Sequence, residues 1–179
     1  MSGKHILLGV AGSIAAYKSC DVVNSLRKAG FETKVAMSAD ACHFITPLSL
    51  QTLSGNKVIT DMFELPEQWD VCHVSLAEWA DLILIVPASA DMISKLACGS
   101  ADSIVSAAVL SAKCNVLIAP AMNDNMYNHK AVQKNIAALK SLGYRFIGPN
   151  RGRLACGRSG IGHIADVPDI VRAVKAMLK

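Results

Sequence analysis

The run Ile6-Leu7-Leu8-Gly9-Val10, with Ala11-Gly12-Ser13 directly after it, is the stretch that decides the fold. Its first five residues form an apolar run of strand length, and the glycine and serine after them are typical of a tight turn. Over residues 13–29 the apolar side chains return at helix-like intervals, and Gly30 comes next as a residue type that often ends a helix. The stretch therefore predicts a strand, a turn and a helix in succession.

Apolar runs and helical patterns continue to alternate along the rest of the chain. Further strands are predicted at 32–37, 82–86, 116–119 and 144–147, and helices at 13–29, 39–53, 75–79, 92–96, 103–110, 131–142 and 167–178. Residues 58–70 and 150–166 are predicted as loops. Alternation of this kind is typical of a parallel sheet covered by helices on both faces. We predict a three-layer, doubly wound α/β fold of the flavodoxin-like or Rossmann-like type.

The composition is that of one domain with a large apolar core. The chain has 179 residues, of which 52% are hydrophobic, so residues 1–179 are expected to form a single domain. No apolar run approaches the roughly 20 residues of a membrane span, and the segment before Ile6 is too short for a signal peptide. The net charge is +4 with dispersed Lys and Arg residues, which disfavours nucleic-acid binding and suits small anionic ligands.

The six cysteines form no CxxC pair and show no metal-ligand spacing with histidine. We therefore expect a reduced, cytoplasmic protein without a metal site, in which most cysteines are small core residues. Cys156 is the exception, because it stands in the glycine-rich and arginine-rich segment 150–166. That segment is either a solvated flexible loop or a lid that delivers Cys156 to a site, where positive neighbours favour the thiolate. Its basic side chains could serve a phosphate: Arg151, Arg153, Arg158 and His163.

Small and polar residues follow the predicted strands at the edge where open α/β sheets bind ligands. Gly12, Ser13 and Ile14 follow the first strand, and Ser38 follows the second. Turns of this type hold phosphates at helix N-termini, although Ser13 could equally be an N-cap. Ser89, Ala90 and Asp91 follow the central strand, either as a wall for a flat ring or as an ordinary strand-to-helix turn; the residue types alone do not separate the two.

Residues 117–127 end another apolar run at Ala119-Pro120 and continue with Ala121, Met122 and Asn123. The Asn123 amide has two donors and one acceptor and is suited to recognising a carboxylate or an amide. His73 precedes the central strand and is a further candidate, since histidine is a common general base near neutral pH. A lone histidine is nevertheless more often a surface or structural residue.

These segments together resemble the flavin-containing cysteine decarboxylases, and most closely their phosphopantothenoylcysteine decarboxylase branch. The resemblance extends from Gly9 to about Asp166 and rests on residues 12–18 (GSIAAYK), His73, 87–90 (PASA), 120–127 (PAMNDNMY) and 155–157 (ACG). The PAMN and ACG segments in this order are highly specific together. The chain departs from the family pattern at two places. Asp91-Met92 stands where many members have Asn-Thr. Near Cys156, Arg158 and His163 replace an acidic residue and an arginine that are common in the family.

The resemblance implies FMN as cofactor, bound between the subunits of a homotrimer or of a dodecamer built from trimers. By position, the FMN phosphate region would be held by Gly12, Ser13, Ile14 and Ser38, and the flavin would be lined by Ser89, Ala90, Asp91 and Ala121. Asn123 would bind the substrate carboxylate, with Met122 beside it. Arg158 departs from the family pattern and is expected to bind the anionic substrate because of its charge. His73 would be the catalytic base and Cys156 a proton donor.

The activity implied by the resemblance is the decarboxylation of 4'-phosphopantothenoylcysteine to 4'-phosphopantetheine in coenzyme A biosynthesis. In that family a hydride leaves the cysteine β-carbon for the flavin, carbon dioxide departs, and an enethiolate is protonated and reduced. The chain contains no ligase domain of the kind fused in many bacteria, so it is either a monofunctional enzyme, which we expect, or one domain of a longer protein. Two alternatives remain open: an oxidative decarboxylase of a C-terminal peptidyl-cysteine, which stops at the enethiol and can lack Cys156, and a non-enzymatic flavoprotein that regulates a protein partner.

Overall fold

The structure is a computed structural model that describes residues 3–63 and 71–179. Within these ranges, six parallel strands form the main sheet: β1 His5–Val10, β2 Glu32–Met37, β3 Val58–Ile59, β4 Leu82–Ala88, β5 Asn115–Pro120 and β6 Arg145–Phe146. Their order is β3-β2-β1-β4-β5-β6. The prediction of a doubly wound parallel α/β sheet is confirmed, and this strand order is that of the Rossmann-type layer.

Helices cover both faces of the sheet. In the described part of the chain the α-helices are α1 Lys18–Lys28, α2 Pro47–Ser54, α3 Cys72–Trp79, α4 Ala90–Cys98, α5 Ile104–Ser111, α6 Asp124–Asn128, α7 Lys130–Ser141 and α8 Val167–Met177. Two 3₁₀ helices, Ile14–Tyr17 and Ala39–His43, follow β1 and β2. None of the helices in the described ranges is long and apolar enough to cross a membrane.

Alternating side chains of the central strand β4 fill two separate apolar layers. Leu82, Leu84 and Val86 pack in the layer shared with α1, α2 and α8. Ile83 and Ile85 point to the other layer, which is shared with α3, α4, α5 and α7. All five are at most 1% exposed, and burial of each contributes about 1.5–3 kcal/mol. A continuous apolar run therefore becomes a strand buried on both faces, as expected for a parallel sheet.

Two predicted helices are interrupted. Residues 39–53 are predicted as a helix with Pro47 either within it or at a break, and the structure has the break. The segment divides into the 3₁₀ helix Ala39–His43 and α2, because Pro47 cannot donate a backbone hydrogen bond inside a helix and stands at the start of α2. The predicted helix 13–29 begins as the 3₁₀ helix Ile14–Tyr17, with Ala16 N–H donating to the Ser13 carbonyl, before α1 starts. The predicted loop 58–70 begins as strand β3, and its part 64–70 lies outside the described residues.

The prediction of a loop at 150–166 is wrong. An antiparallel hairpin forms there from β7 Asn150–Arg153 and β8 Ser159–His163, with Gly152 opposite Gly160. The hairpin docks on the end of β5, where Met122 N–H donates to the Gly162 carbonyl at 3.1 Å. Gly162 has a φ of +142°, and a Cβ at this position would clash with the Met122 carbonyl oxygen. Docking therefore requires glycine at this position.

We expect Gly162→Ala to lower the free energy of unfolding by about 2 kcal/mol or more, because it adds a backbone clash to a strained φ. Gly143→Ala is the matched control, since Gly143 also has a positive φ, +93°, but no atom within 4 Å of an added Cβ. The control should lose only about 1 kcal/mol. Urea unfolding of both variants measures the difference. Equal losses would contradict a docking contact at Gly162.

Candidate functional site

A cleft of about 720 Å³ opens at the carboxyl ends of β1, β4 and β5. Strands β1 and β4 are neighbours at the point where the strand order reverses, which is where ligands bind in open α/β sheets. The floor of the cleft is formed by the turns after β1, β4 and β5, and the β7–β8 hairpin forms one wall of the cleft. The lining residues are Gly12, Ser13, Ile14, Ala15, Tyr17, Lys18, Ser89, Ala90, Ala121, Met122, Asn123, Met126, Arg153, Leu154, Ala155, Cys156, Gly157, Gly162, His163 and Ile164.

The amide of Asn123 is held in one orientation. Its Oδ1 accepts a hydrogen bond from the backbone N–H of Asn125 at 2.9 Å and thereby caps α6. The acceptor end is thus engaged, and the Nδ2 donor end lies at the cleft, 3.9 Å from the Cys156 Sγ. A donor group facing the cleft is suited to an acceptor such as a carboxylate. Both ligand groups predicted for Asn123, a carboxylate and an amide, carry an oxygen acceptor that fits this donor.

Cys156 lies at the exposed tip of the hairpin, between β7 and β8. The backbone N–H of Arg158 and then its guanidinium donate hydrogen bonds to the sulfur, and together they hold the pKa of the Cys156 thiol below its ordinary value. The expectation that positive neighbours favour the thiolate agrees with this direction. Asn123 adds a third donor near the same sulfur.

Arg158 is held in turn by a carboxylate. Its Nη2 lies 3.3 Å from Oδ1 of Asp124, the first residue of α6. The Asp124 side chain is only 22% exposed, and a Cβ on Gly160 would lie 2.8 Å from its Cβ. Asp124 therefore joins α6 to the hairpin on which Cys156 lies. Sequence reasoning missed Asp124, since no signal links two residues 34 positions apart.

The three serines predicted to contact a cofactor all cap helices. The Oγ atoms of Ser13, Ser38 and Ser89 each accept a hydrogen bond from a backbone N–H two or three residues later, at 3.2 to 3.3 Å. The Ser13 hydroxyl also donates to the Ala121 carbonyl at 3.1 Å, which ties the turn after β1 to the end of β5. Ser13 and Ser89 line the cleft as well, so capping and ligand contact are compatible for them.

Four predicted site residues are not among the described residues that line the cleft. Ser38 is 7% exposed in the turn directly after β2, and Asp91 is ion-paired with Lys95 at 3.1 Å on α4. Arg158 lies beside the cleft at Cys156. His73 is half-buried on α3, a helix that packs against α5. Within one chain, the structure brings Cys156 and Asn123 together but does not bring His73 to them.

Gly12 lies where the turns after β1 and β2 meet. A Cβ on Gly12 would lie 2.5 Å from the Cβ of Asp40, so close packing of the two turns already requires glycine.

Among the described residues, no group of three or more His, Cys, Asp or Glu side chains is placed to hold a metal ion.

Comparison with known proteins relates the chain to proteins of coenzyme A biosynthesis. The chain is 44% identical over 172 residues to the coenzyme A biosynthesis bifunctional protein CoaBC of Bacillus subtilis, a match that covers 96% of this chain and 42% of that protein. It thus spans less than half of that relative. It is 43% identical over 177 residues to the "Probable phosphopantothenoylcysteine decarboxylase" of Streptococcus mutans, covering 98% of this chain and 99% of that protein.

Solved structures show the same fold. A mutant PPC decarboxylase complexed with pantothenoylaminoethenethiol superposes with a TM-score of 0.90 at 28% identity, over 97% of both chains. The FMN-dependent cysteine decarboxylase SpaF superposes with a TM-score of 0.86 at 32% identity, over 99% of this chain and 96% of that one. A family model described as Flavoprotein matches residues 1–179. The chain therefore belongs to the Flavoprotein family.

Proposed function

We propose that the protein is an FMN-dependent decarboxylase that converts 4'-phosphopantothenoylcysteine to 4'-phosphopantetheine in coenzyme A biosynthesis. The observation that carries the proposal is the donor end of Asn123 beside the Cys156 thiol, inside the cleft at the reversal of strand order. The Streptococcus mutans relative bears the name of this activity and matches the chain over nearly its whole length. The CoaBC relatives are named for coenzyme A biosynthesis.

The cleft fits FMN. Its volume of about 720 Å³ falls within the roughly 300–1,000 Å³ of small-molecule sites. Ala90 and Ala121 present small side chains against which a flat ring can lie, and the turn at Gly12 and Ser13 would receive the phosphate end. FMN, when bound, would supply the acceptor and donor of hydride that oxidation and reduction of the cysteinyl group require.

The residues of this chain would bind the cysteinyl end and handle its protons. The Asn123 Nδ2 would donate to the substrate carboxylate and orient it for departure as carbon dioxide. Cys156 in its thiol form would give a proton to the enethiolate that remains. Arg158 would then stabilise the thiolate that Cys156 leaves behind, since its backbone N–H and guanidinium both donate to the sulfur. Met122, beside Asn123, would pack against the apolar part of the substrate.

His73 would act as the base that removes the proton of the substrate thiol, supplied by a neighbouring subunit. We propose a homotrimer, alone or assembled into a dodecamer, because the described cleft of a single chain lacks His73. Two large side chains of the cleft support this proposal. In the single chain, Ile14 is 59% exposed and Tyr17 is 56% exposed. Exposed apolar side chains of this size are expected where a cofactor or another subunit covers them. A cytoplasmic location is also proposed, since six cysteines without a disulfide in the described part of the chain are typical of a reducing compartment.

Turnover of 4'-phosphopantothenoylcysteine by the FMN-loaded protein, followed by product mass, tests the function. The unmodified protein should yield 4'-phosphopantetheine. Cys156→Ser should instead accumulate the enethiol, which is two hydrogen atoms lighter, because the proton donor is missing. Cys98→Ser is the matched control, since Cys98 is also exposed but lies at the end of α4, outside the described cleft. If the unmodified protein itself stopped at the enethiol, an oxidative cysteine decarboxylase would be indicated; absence of any decarboxylation would refute the proposal.

Arg158→Ala should raise the pKa of Cys156 toward its ordinary value. The rise should be partial, because the backbone N–H at this position remains and makes the larger contribution. The pH dependence of alkylation by iodoacetamide, followed at the Cys156 peptide by mass spectrometry, measures it, and the midpoint should move to higher pH. Arg151→Ala, which alters an exposed arginine of the same hairpin, should leave the midpoint in place. An unmoved midpoint in Arg158→Ala would argue against side-chain stabilisation of the thiolate.

Sharing of the site between subunits can be tested with mixed oligomers. His73→Asn and Cys156→Ser should each fail to form 4'-phosphopantetheine alone. Co-expression should restore part of the activity, since some mixed sites would combine an intact His73 from one subunit with an intact Cys156 from another. Co-expression of His73→Asn with His73→Gln is the control and should restore nothing. No recovery in the first mixture would mean that both residues act within one chain.

A further inference from the structure

The described lining of the cleft is positively charged. Lys18, Arg153 and His163 are its basic side chains, and no aspartate or glutamate is among the lining residues that the structure describes. An anionic ligand is therefore favoured throughout the cleft. The proposed reaction brings two phosphate monoesters there, one on FMN and one on the substrate, in addition to the carboxylate that leaves.

Most of the basic groups near the cleft are already engaged. Lys18 Nζ lies 3.2 Å from an Asp21 carboxylate oxygen, and Arg158 is paired with Asp124 and with Cys156. The Nδ1 of His163 lies 2.9 Å from the Ile164 carbonyl oxygen. These contacts reduce what each group can offer to a further anion.

Arg153 differs from these groups. Within residues 3–63 and 71–179 its guanidinium has no ion-pair partner, and it is exposed at the cleft. A guanidinium presents a planar fork of donors that matches the oxygens of a phosphate. Arg153 thus has the charge, the geometry and the free donors of a phosphate ligand.

The position of Arg153 relative to Cys156 agrees with the length of the substrate. Arg153 ends β7 and precedes Cys156 by three residues, a chain distance of at most about 10 Å, to which the arginine side chain adds its own reach. In phosphopantothenoylcysteine, the pantothenoyl arm that separates phosphate from cysteine is about as long as three to four extended residues, roughly 10–14 Å. A substrate whose cysteinyl end lies between Asn123 and Cys156 can therefore bring its phosphate to Arg153.

We propose that Arg153 binds the phosphate monoester of the substrate and so selects the phosphorylated form. This inference rests on the proposed function. The phosphate of FMN has another place in that proposal, at the turn of Gly12 and Ser13 after β1. Arg153 instead lies on the same hairpin as Cys156. Because the substrate is the molecule proposed to reach Cys156, we assign the substrate phosphate to Arg153.

The test compares two substrates, phosphopantothenoylcysteine and its dephosphorylated form pantothenoylcysteine, with Arg153→Ala and Arg151→Ala. Arg151 is the control, because it is an exposed arginine of the same strand that does not line the described cleft. Arg153→Ala should lower kcat/KM for the phosphorylated substrate by about ten- to hundredfold, mainly through KM, as expected for loss of a charge-assisted hydrogen bond. Its kcat/KM for the dephosphorylated substrate should stay within about twofold of the unmodified protein, and Arg153→Lys should recover part of the loss.

Other outcomes separate the possible failures. Equal losses for both substrates would overturn the inference and indicate a structural role. Arg153→Ala could instead lose affinity for FMN, measured by flavin fluorescence titration, while its kcat/KM falls equally for the two substrates. That result would assign Arg153 to the cofactor phosphate and would also overturn the inference. Normal turnover of both substrates by Arg153→Ala would refute the inference while leaving the proposed function intact. The proposed function itself would be refuted if the unmodified protein decarboxylated neither substrate or stopped at the enethiol.

Discussion

The docking of the β7–β8 hairpin on the end of β5 is the contact on which the site depends. Met122 N–H bonds to the Gly162 carbonyl, and no side chain at Gly162 could be accommodated at this separation. This contact brings Cys156, from the far end of the chain, to Asn123 at a strand end of the sheet. The parallel sheet supplies the edge of the cleft, and the hairpin adds the Cys156 thiol to it. Without this docking, the cleft would lose the wall that carries Cys156 and Arg153.

Polar contacts around the hairpin then define what its tip can do. The Asp124–Arg158 pair is partly exposed, and pairs of that kind contribute little to stability. Its effect is on position, because it directs a guanidinium at the Cys156 sulfur. Asn123 is oriented in a similar way, since its acceptor caps α6 and only its donors remain for a ligand. Helix capping and ion pairing thus direct several donors at the Cys156 sulfur and leave the Asn123 Nδ2 available to a ligand.

The sequence was sufficient to predict five of the six strands described in the main sheet, all but β3, and most of the cleft floor. The apolar runs before Gly12, Ser89 and Ala121 are buried on both faces, so each is recognisable as a strand, and the turn after each parallel strand lies at the ligand-binding edge. The motif resemblance also anticipated that Asn123 and Cys156 belong to one site. Both inferences rest on local patterns that can be recognised without knowledge of tertiary contacts.

The hairpin and its ion pair could not be predicted in the same way. Residues 150–166 have too many glycines for a strand pattern. The paired strands also contact residues far away in the sequence, with Gly160 beside Asp124 and Gly162 beside Met122. Arg158 was assigned to the substrate because basic residues in a loop suggest anion binding. Its partner Asp124 lies on another element, and contacts of that kind emerge only from the fold.

The central claim is that Asn123 and Cys156 hold the cysteinyl end of the substrate. A crystal structure of the Cys156→Ser variant with FMN and phosphopantothenoylcysteine tests it most directly, because the variant retains the cleft and loses the proton donor. The account predicts the substrate carboxylate within contact distance of Asn123 Nδ2 and next to the hydroxyl that the substitution introduces at the hairpin tip. If the carboxylate has already left as carbon dioxide, the vinylic carbon that carried it should lie there. A cysteinyl end bound away from Asn123, or outside the cleft, would contradict it.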